Sequence, residues 1–500
     1  MEKAVVLPAF LSVLLCGIAF STNLDYPFCH STMDGYDGCL YSIAARNFNN
    51  YGIGKLRFGL CYDPGPVREH PEITLNHPPM VPLLVAFNFS LFGEREISAR
   101  AVPFVFSLLA VLLFFLFLKN LFEGSAWFAL AGVLAAAGQV VWTYYATLVD
   151  PMGPGILFVT AGALWAAERW LDSGKRAHLA WANFFLVFGF LVSWVSFFLA
   201  GLLGMWAVFF AKERKLPERF SFWILALVSG LLLLGWRAAA SQVGPSPGIV
   251  ESAGRWSILG MISGNGPISF SQALARVISF HKNLFFLPVT LLGLLGGISL
   301  LAFKRSLAGS RSLLLILVPV GVGLLQIIFF LQGAYIHEYF QLSLAPGLGF
   351  LAAFFFFLLW KKIPRFGRAI LFLAVLVGVA SLFRGYIETR RRWAPLLPHI
   401  SEVKTAGRKL ASLTSPEETL VSPLPPLFVL GFYAERRILC GFKDPGVLLE
   451  TWRAWGGKLP GIGGVILWKD GSPDFVKVLK KIKLKGPIEM GPFNFWDARF

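Results

Sequence analysis

The sequence predicts an all-α polytopic membrane protein of about eleven transmembrane helices, ending in a small α/β domain outside the membrane. Three observations predict it. Of the 500 residues 56% are hydrophobic and only 15% charged, and mean hydropathy is +0.65; a water-soluble chain does not need that much apolar surface. The apolar residues come in long runs, 101–118, 126–146 and 313–331 among them, which match the ~20 residues a helix needs to cross a bilayer. A globular core gives shorter stripes broken every turn or two. The composition then changes after Arg384, where short β-like runs alternate with Pro, Gly and charged segments.

A net charge of +17 is the first thing to reconcile with that class. Nucleic-acid binding would concentrate it in one basic stripe interleaved with aromatics. Here the Lys and Arg are spread over short connectors between apolar runs, as expected where basic residues accumulate in cytoplasmic loops. No nucleic-acid partner is expected.

Along the chain, 4–20 is a short apolar run behind Met-Glu-Lys. No Ala-x-Ala site follows it, so it reads as a retained helix rather than a cleaved signal peptide. Residues 21–100 form a long polar first loop, in which 79–92 is too short and mixed to span and is expected to lie in the interface. Spans follow at 101–118, 125–146 and 152–167. The block 179–211 is long for one crossing. Arg169, Lys175 and Arg176 precede it, and Lys212, Arg214, Lys215 and Arg219 follow it, so both flanks are cytoplasmic and the block is a hairpin turning near 193–196. Further spans fall at 220–240, 284–303, 313–331, 339–360 and 369–383.

With eleven crossings, the connectors at Lys119, 168–178, 212–219, 304–312 and 361–368 share one side and are the basic ones. The first loop, the segment 144–151, the loop 241–283 and the end of the chain share the other. This gives a membrane domain of 1–383 with outer loop 21–100, and an extracytoplasmic α/β domain of 384–500 whose β-like runs are 419–421, 427–432 and 464–467. The five cysteines, Cys16, Cys29, Cys39, Cys61 and Cys440, form no CxxC and no zinc-like spacing; a disulfide within the outer loop stays open. No internal repeat supports a transporter built from inverted halves.

The first loop gathers Asp25, His30, Asp34, Asp37, Tyr41, Arg46, Asp63, His70, Asn76 and His77. Each alone reads as a solvated loop residue. The stretch 37–47 is more specific, because Leu40, Ile43, Ala44 and Asn47 fall on one side of a helix with Asp37 at its start. A helix N-cap is the plain structural role for that Asp.

Asp37 followed nine residues later by Arg46, then His77-Pro78-Pro79, Leu91-Phe92-Gly93 and Ser98-Ala99-Arg100-Ala101-Val102-Pro103, resembles the GT-C glycosyltransferases. These include the lipid A aminoarabinose transferase, the protein O-mannosyltransferases and bacterial enzymes of the RgtA/B/C/D type. The resemblance continues through Tyr144-Tyr145-Ala146-Thr147-Leu148-Val149-Asp150-Pro151, His337-Glu338-Tyr339-Phe340 and Pro346.

The resemblance implies a GT-C-like membrane domain and an inverting transfer of a sugar from a polyprenyl-phosphate carrier to an acceptor hydroxyl on the non-cytoplasmic face. Glycan, lipid and protein acceptors all stay open. It puts Asp37 in the place of the catalytic base and Asp150 in the second acidic position, where it orients its neighbours, helps hold a divalent metal or simply caps its loop. It implies substrate binding by Tyr41, Arg46, His77, Arg276, His337 and Tyr339. Two departures stand out: Gly38 follows Asp37 where relatives often carry Glu, which leaves Asp34 as the substitute second carboxylate, and Val192-Ser193-Trp194 stands where relatives often place a Lys. Phosphate-binding cations are then sought in His337, Arg276, His281 and Lys282, each of which also reads as an interfacial anchor.

Two other classes fit the chain: a lipid or solute transporter or flippase, and a non-catalytic envelope-assembly subunit. A transporter carries ionisable residues at the bilayer centre, whereas the acids and His here gather at the outer boundary. The loop 241–283, rich in Gly and Pro, is expected to order around a lipid carrier, with Phe270, Leu274 and Ile278 on one helical face suited to acyl chains.

Overall fold

The computed structural model describes residues 3–29, 32–66, 71, 73–243, 268–302, 311–423, 427–440, 444–454, 462–469 and 473–498. His30, His70 and the Gly- and Pro-rich stretch 244–267 lie outside the described residues.

The chain is mostly helical, and each of the eleven predicted apolar segments is a helix or a broken helix. These are α1 (Lys3–Phe20), α4 (Glu96–Leu121), α5 (Ala126–Ala137) continued after Gly138 by α6 (Val140–Tyr145), α7 (Pro154–Ser173), α8 (Arg176–Val192), α9 (Val195–Phe210), α10 (Leu216–Ala240), α12 (Leu287–Ala302), α13 (Leu317–Phe329) continued after Phe330 by the short α14 (Leu331–Ile336), α15 (Leu344–Lys362) and α16 (Gly367–Trp393). Among the described residues six helical stretches are long and apolar enough to cross a membrane individually, and seven if the bent pair of α11 (Phe270–Leu284) and α12 counts as one. The block 179–211 is a hairpin of α8 and α9, broken at Ser193, whose backbone is extended. Pro154 at the first turn of α7 and a left-handed Gly174 after its end set that helix's limits.

Small residues let the helices approach closely. A Cβ on Gly349 of α15 would meet the Ala136 backbone nitrogen of α5 at 2.4 Å, so only glycine fits there. Aromatic bulk fills the rest: Trp142, Trp170 and Trp393 are fully buried.

The bundle has a basic end. Lys361 pairs with Glu123, Arg214 donates to the Leu171 carbonyl, and Arg176 lies 3.6 Å from Glu218. These contacts bring the connectors near 119–125 and 361–368 together, and likewise those at 168–178 and 212–219. The first loop and the turns at 146–153 and 337–343 are at the opposite helix ends.

In the first loop, α2 (Met33–Tyr51) begins four residues before Asp37. Thr32 is its N-cap, accepting from the Gly35 N–H at 2.9 Å. The N-cap role considered for Asp37 is therefore corrected: a hydroxyl earlier in the chain already satisfies the first turn. A two-strand ladder (Leu60–Cys61 with Ile73–Thr74) and the apolar helix α3 (Met80–Phe92) complete the loop. Among the described residues, Cys16, Cys29, Cys39 and Cys61 form no disulfide with one another.

The helix α16 continues to Trp393, past position 384, before α17 (Leu397–Leu413) leads into the tail. There a five-stranded sheet runs in the order β4-β3-β5-β7-β6, with β3 (Thr419–Ser422) parallel to β4 (Arg437–Cys440) and β5 (Ile462–Trp468). β7 (Phe493–Asp497) is antiparallel to β5 and to β6 (Lys485–Met490). The run 427–432, β-like by composition, is instead the start of helix α18 (Phe428–Ala434). Docking against α2 and the segment just before it decides it: Phe428 meets Tyr36 edge-on at 5.7 Å and Phe432 meets Phe28 at 5.2 Å. Strand preference yields readily to such tertiary packing.

Candidate active site

Two acids on α2 face different surroundings one turn apart. Asp34 is fully buried and accepts from the Arg100 guanidinium at 3.1 Å, with both side chains wholly excluded from solvent. Arg100 also donates to the carbonyls of Asn23 (3.1 Å) and Tyr26 and lies over the Phe28 and Trp393 rings. Asp34 is therefore a fixed structural partner and is not available as a second carboxylate for the Asp37 motif. Asp37 is also buried, at 7% exposure, but its Oδ2 has no hydrogen-bond partner among the described residues. An unsatisfied buried carboxylate oxygen costs free energy unless something else meets it.

Asp150 comes alongside from the turn between α6 and α7. Its Oδ1 accepts from the Met152 N–H at 2.6 Å, so it does cap its own loop. It also does more. Tyr339 lies beside both Asp37 and Asp150 and Tyr41 beside Asp150, each favouring the charged carboxylate, and the Tyr41 and Tyr62 rings meet edge-on at 5.8 Å. Burial raises the Asp37 carboxyl well above its usual range, and the neighbouring Asp150 charge raises it further. Burial likewise raises Asp150, against the stabilising N–H of Met152 and the two tyrosines. Each carboxylate's charge therefore disfavours ionisation of the other.

Beside Tyr339 opens a cavity of about 510 Å³ lined on its polar side by Asn76, His77, Trp194, Arg237, His337 and Tyr339. Phe197, Phe198, Phe330 and Phe340 line the apolar side. Such a mainly apolar cavity with a few convergent polar groups is the usual form of a small-molecule site. Burial lowers both His77 and His337 to about 4, and for His77 the proximity of His337 adds to it. Both imidazoles are neutral at pH 7. Arg237 supplies the fixed positive charge among the described lining residues; it is 8% exposed and donates to the Leu75 carbonyl.

The structure thus brings Asp37, Asp150, Tyr41, His77, His337 and Tyr339 together. It does not bring Arg46 or Arg276 to them. The Arg46 guanidinium is held by Glu94 at 2.6 Å and the Phe432 carbonyl at 3.1 Å, and it lies over the Phe432 ring, so it fastens α2 to the tail. Arg276 is exposed on α11, over Phe280. On that helix Phe270, Leu274 and Ile278 are indeed exposed, opposite the buried Ala273, Val277 and Phe280.

Sequence reasoning missed Arg237 and Trp194. Arg237 was visible as an ionisable residue inside the predicted span 220–240, a position that marks a functional side chain more often than not. Trp194 fills the hairpin apex, where its indole N–H donates to the Asn76 carbonyl at 2.5 Å and so fixes the segment before His77. Among the described residues no group of three or more His, Cys, Asp and Glu side chains is arranged to hold a metal ion.

Asp150→Asn separates the two roles of that residue. Asn keeps the Oδ1 that caps Met152 but removes the negative charge beside Asp37. With that charge gone the Asp37 carboxyl ionises at lower pH, so the acid limb of the rate profile should move to lower pH. The rate on the plateau should fall less than for a substitution of Asp37. An acid limb that stays where it was in a pH–rate profile would show that the two carboxylates do not sense each other.

Residues 76–236 match the family model of dolichyl-phosphate-mannose-protein mannosyltransferases. The fold as a whole is similar to ArnT from Cupriavidus metallidurans bound to undecaprenyl phosphate, at TM-score 0.62 and 14% identity over 99% of this chain and 98% of that one. Against the apo state of the same enzyme the TM-score is 0.56 at 13% identity, over 100% of this chain and 98% of that one. No curated protein sequence matches the chain. The GT-C resemblance read from the sequence therefore holds in the fold, and over residues 76–236 in the family match.

Proposed function

We propose that this chain, with the fold of the GT-C glycosyltransferases, is an inverting glycosyltransferase that takes its sugar from a polyprenyl-phosphate carrier. The observation that carries the reading is the Asp37 carboxylate oxygen left unsatisfied among the described residues, beside Tyr339 at the edge of a mainly apolar cavity that holds Arg237. Tyr339 then adjoins the base and shares a cavity with a cation suited to an anion. That ArnT was crystallised with undecaprenyl phosphate supports a carrier of that class here.

In the reaction the acceptor hydroxyl gives its proton to Asp37 as its oxygen bonds to the anomeric carbon. The bond from that carbon to the phosphate oxygen breaks, and its electron pair leaves with the carrier phosphate. Asp150 and Tyr339 keep Asp37 oriented and hold its charge in check. Arg237 stabilises the charge that gathers on the departing phosphate. The same charge favours protonation of His77 and His337, which are neutral without it, so they add cations as the phosphate forms. The fixed Lys that relatives place at the hairpin apex is thereby replaced. The exposed apolar face of α11, bent 108° from α12, suits a helix lying along the membrane surface.

The test is to incubate the purified protein with radiolabelled undecaprenyl-phosphate sugars and membrane extract. Label transferred to a glycan, lipid or protein supports the reading. Carriers that cross the bilayer with their sugar still attached would point to a transporter. The active face is the one opposite the basic connectors, so the site and the tail 384–500 are extracytoplasmic. A reporter that is active only in the cytoplasm, fused after Phe500, should be silent; activity there reverses the topology.

A further inference from the structure

Glu338 lies between the cavity residues His337 and Tyr339, yet its side chain is engaged elsewhere. Its Oε1 accepts from the Tyr145 hydroxyl at 2.8 Å and from Arg392 Nη1 at 2.6 Å. Arg392 is in the last turn of α16, and its guanidinium also lies over the Tyr144 ring at 5.2 Å. Both charged side chains are mostly enclosed, at 27% and 19% exposure. A carboxylate at the start of an apolar helix is costly unless charge-assisted bonds meet it, so the pairing fixes where this turn can sit.

The turn needs fixing. Residues Glu338–Gln341 form a single 3₁₀ turn, and a piece that short has too few internal hydrogen bonds to hold its own geometry. Its conformation depends on distant partners. Gln341 Nε2 donates to the Val277 carbonyl of α11 at 2.8 Å, the Tyr145 ring meets the Tyr339 ring at 5.4 Å, and Glu338 holds Arg392 and Tyr145. Tyr145 belongs to α6, which leads into the Asp150 turn, and Arg392 to the helix that leads into the tail. One carboxylate therefore ties together the helix before Asp150, the last long helix and the turn bearing Tyr339.

We propose that the Arg392–Glu338–Tyr145 cluster is a positioning device that aims Tyr339 at the Asp37–Asp150 pair. The proposal rests on the reading of Asp37 as the base. These three residues stand outside the cavity lining and act through Tyr339. Losing the cluster lets the turn shift and misdirects the Tyr339 hydroxyl, which penalises the chemical step and spares the binding of the carrier.

The test uses the full-length protein and whichever undecaprenyl-phosphate sugar gives transfer in the panel above, with Asp37→Asn measured alongside. Arg392→Met should lower kcat by roughly 10- to 100-fold, the scale of a small misplacement at a reacting centre, while KM for the carrier sugar stays within about twofold. Arg392→Lys, which keeps the charge, should recover part of kcat, and Tyr145→Phe, which removes one donor and leaves the ion pair, should fall in between. A purely structural ion pair would lower the melting midpoint and leave kcat of the folded protein unchanged. Should Arg392→Met fail to fold, Glu338→Gln and Tyr145→Phe carry the same comparison. If Asp37→Asn is inactive and the cluster variants keep parental kcat, the positioning role is overturned alone. If Asp37→Asn is fully active, the site reading and the positioning role fall together.

Discussion

Asp37→Asn is expected to reduce sugar transfer by a factor of ~10²–10⁴, the usual loss when a general base is removed. The substitution is nearly isosteric, and in this structure it is unusually clean. Had Asp37 been the N-cap of α2, Asn would have served almost as well and a small effect would have meant little. Thr32 is the cap, and Asp37 sits in the helix body with one oxygen unsatisfied among the described residues. Helix propensity hardly distinguishes the two residues there. Asn also spares the cost of burying a charge, so the variant should fold at least as well as the parent. Initial rates with a radiolabelled undecaprenyl-phosphate sugar, together with carrier binding, check this. A rate within a few-fold of the parent would remove Asp37 from the chemistry. Activity lost in Asp150→Asn and kept in Asp37→Asn would show the two roles to be reversed.

The second large effect is on stability. Replacing Arg100 by Met leaves Asp34 buried without its counter-charge, and breaking a buried pair in this way typically costs about 3–5 kcal/mol. The Asp34 Oδ1 already has no hydrogen-bond partner among the described residues. Burial raises the Asp34 carboxyl above its usual range even with Arg100 present to lower it. The sign of the pH dependence follows. Without Arg100 the folded-state value rises further, so the variant is penalised above the unfolded-state value, and that penalty fades as pH falls toward it. The gap in melting midpoint between Arg100→Met and the parent, measured in detergent, should be wide near neutral pH and narrow in acid. Lys at 100 should restore only part of the stability, since the Arg fork also holds the Asn23 and Tyr26 carbonyls. Equal melting midpoints at neutral pH would show that the pair contributes nothing to stability.

Much of the architecture was legible in the residues because it depends on local properties. Whether a segment such as 101–118 or 369–383 is a helix follows from the length and purity of an apolar run, since only a helix satisfies its own backbone in lipid. The break at Ser193 followed from basic residues on both flanks of one long block. Asp37 stood out through its spacing to Arg46 and to the His77-Pro78-Pro79 stretch. Tertiary structure decided what each polar group meets. Asp34 and Asp37 are three residues apart in the same helix, and no local pattern says that one is neutralised by Arg100, 66 positions away, while the other faces Asp150 and Tyr339. Arg46 resembled a substrate ligand until the tail's Phe432 and the nearby Glu94 were seen to hold it. Arg237 entered the site only because α10 ends beside the segment at Leu75. The run from 427 became a helix because α2 offered it an aromatic face. Hydropathy and periodicity report the solvent each segment must match, which is a property of neighbouring residues. Hydrogen bonds and ion pairs between residues tens to hundreds of positions apart are set by how the helices pack, and that is where this protein's candidate chemistry is assembled.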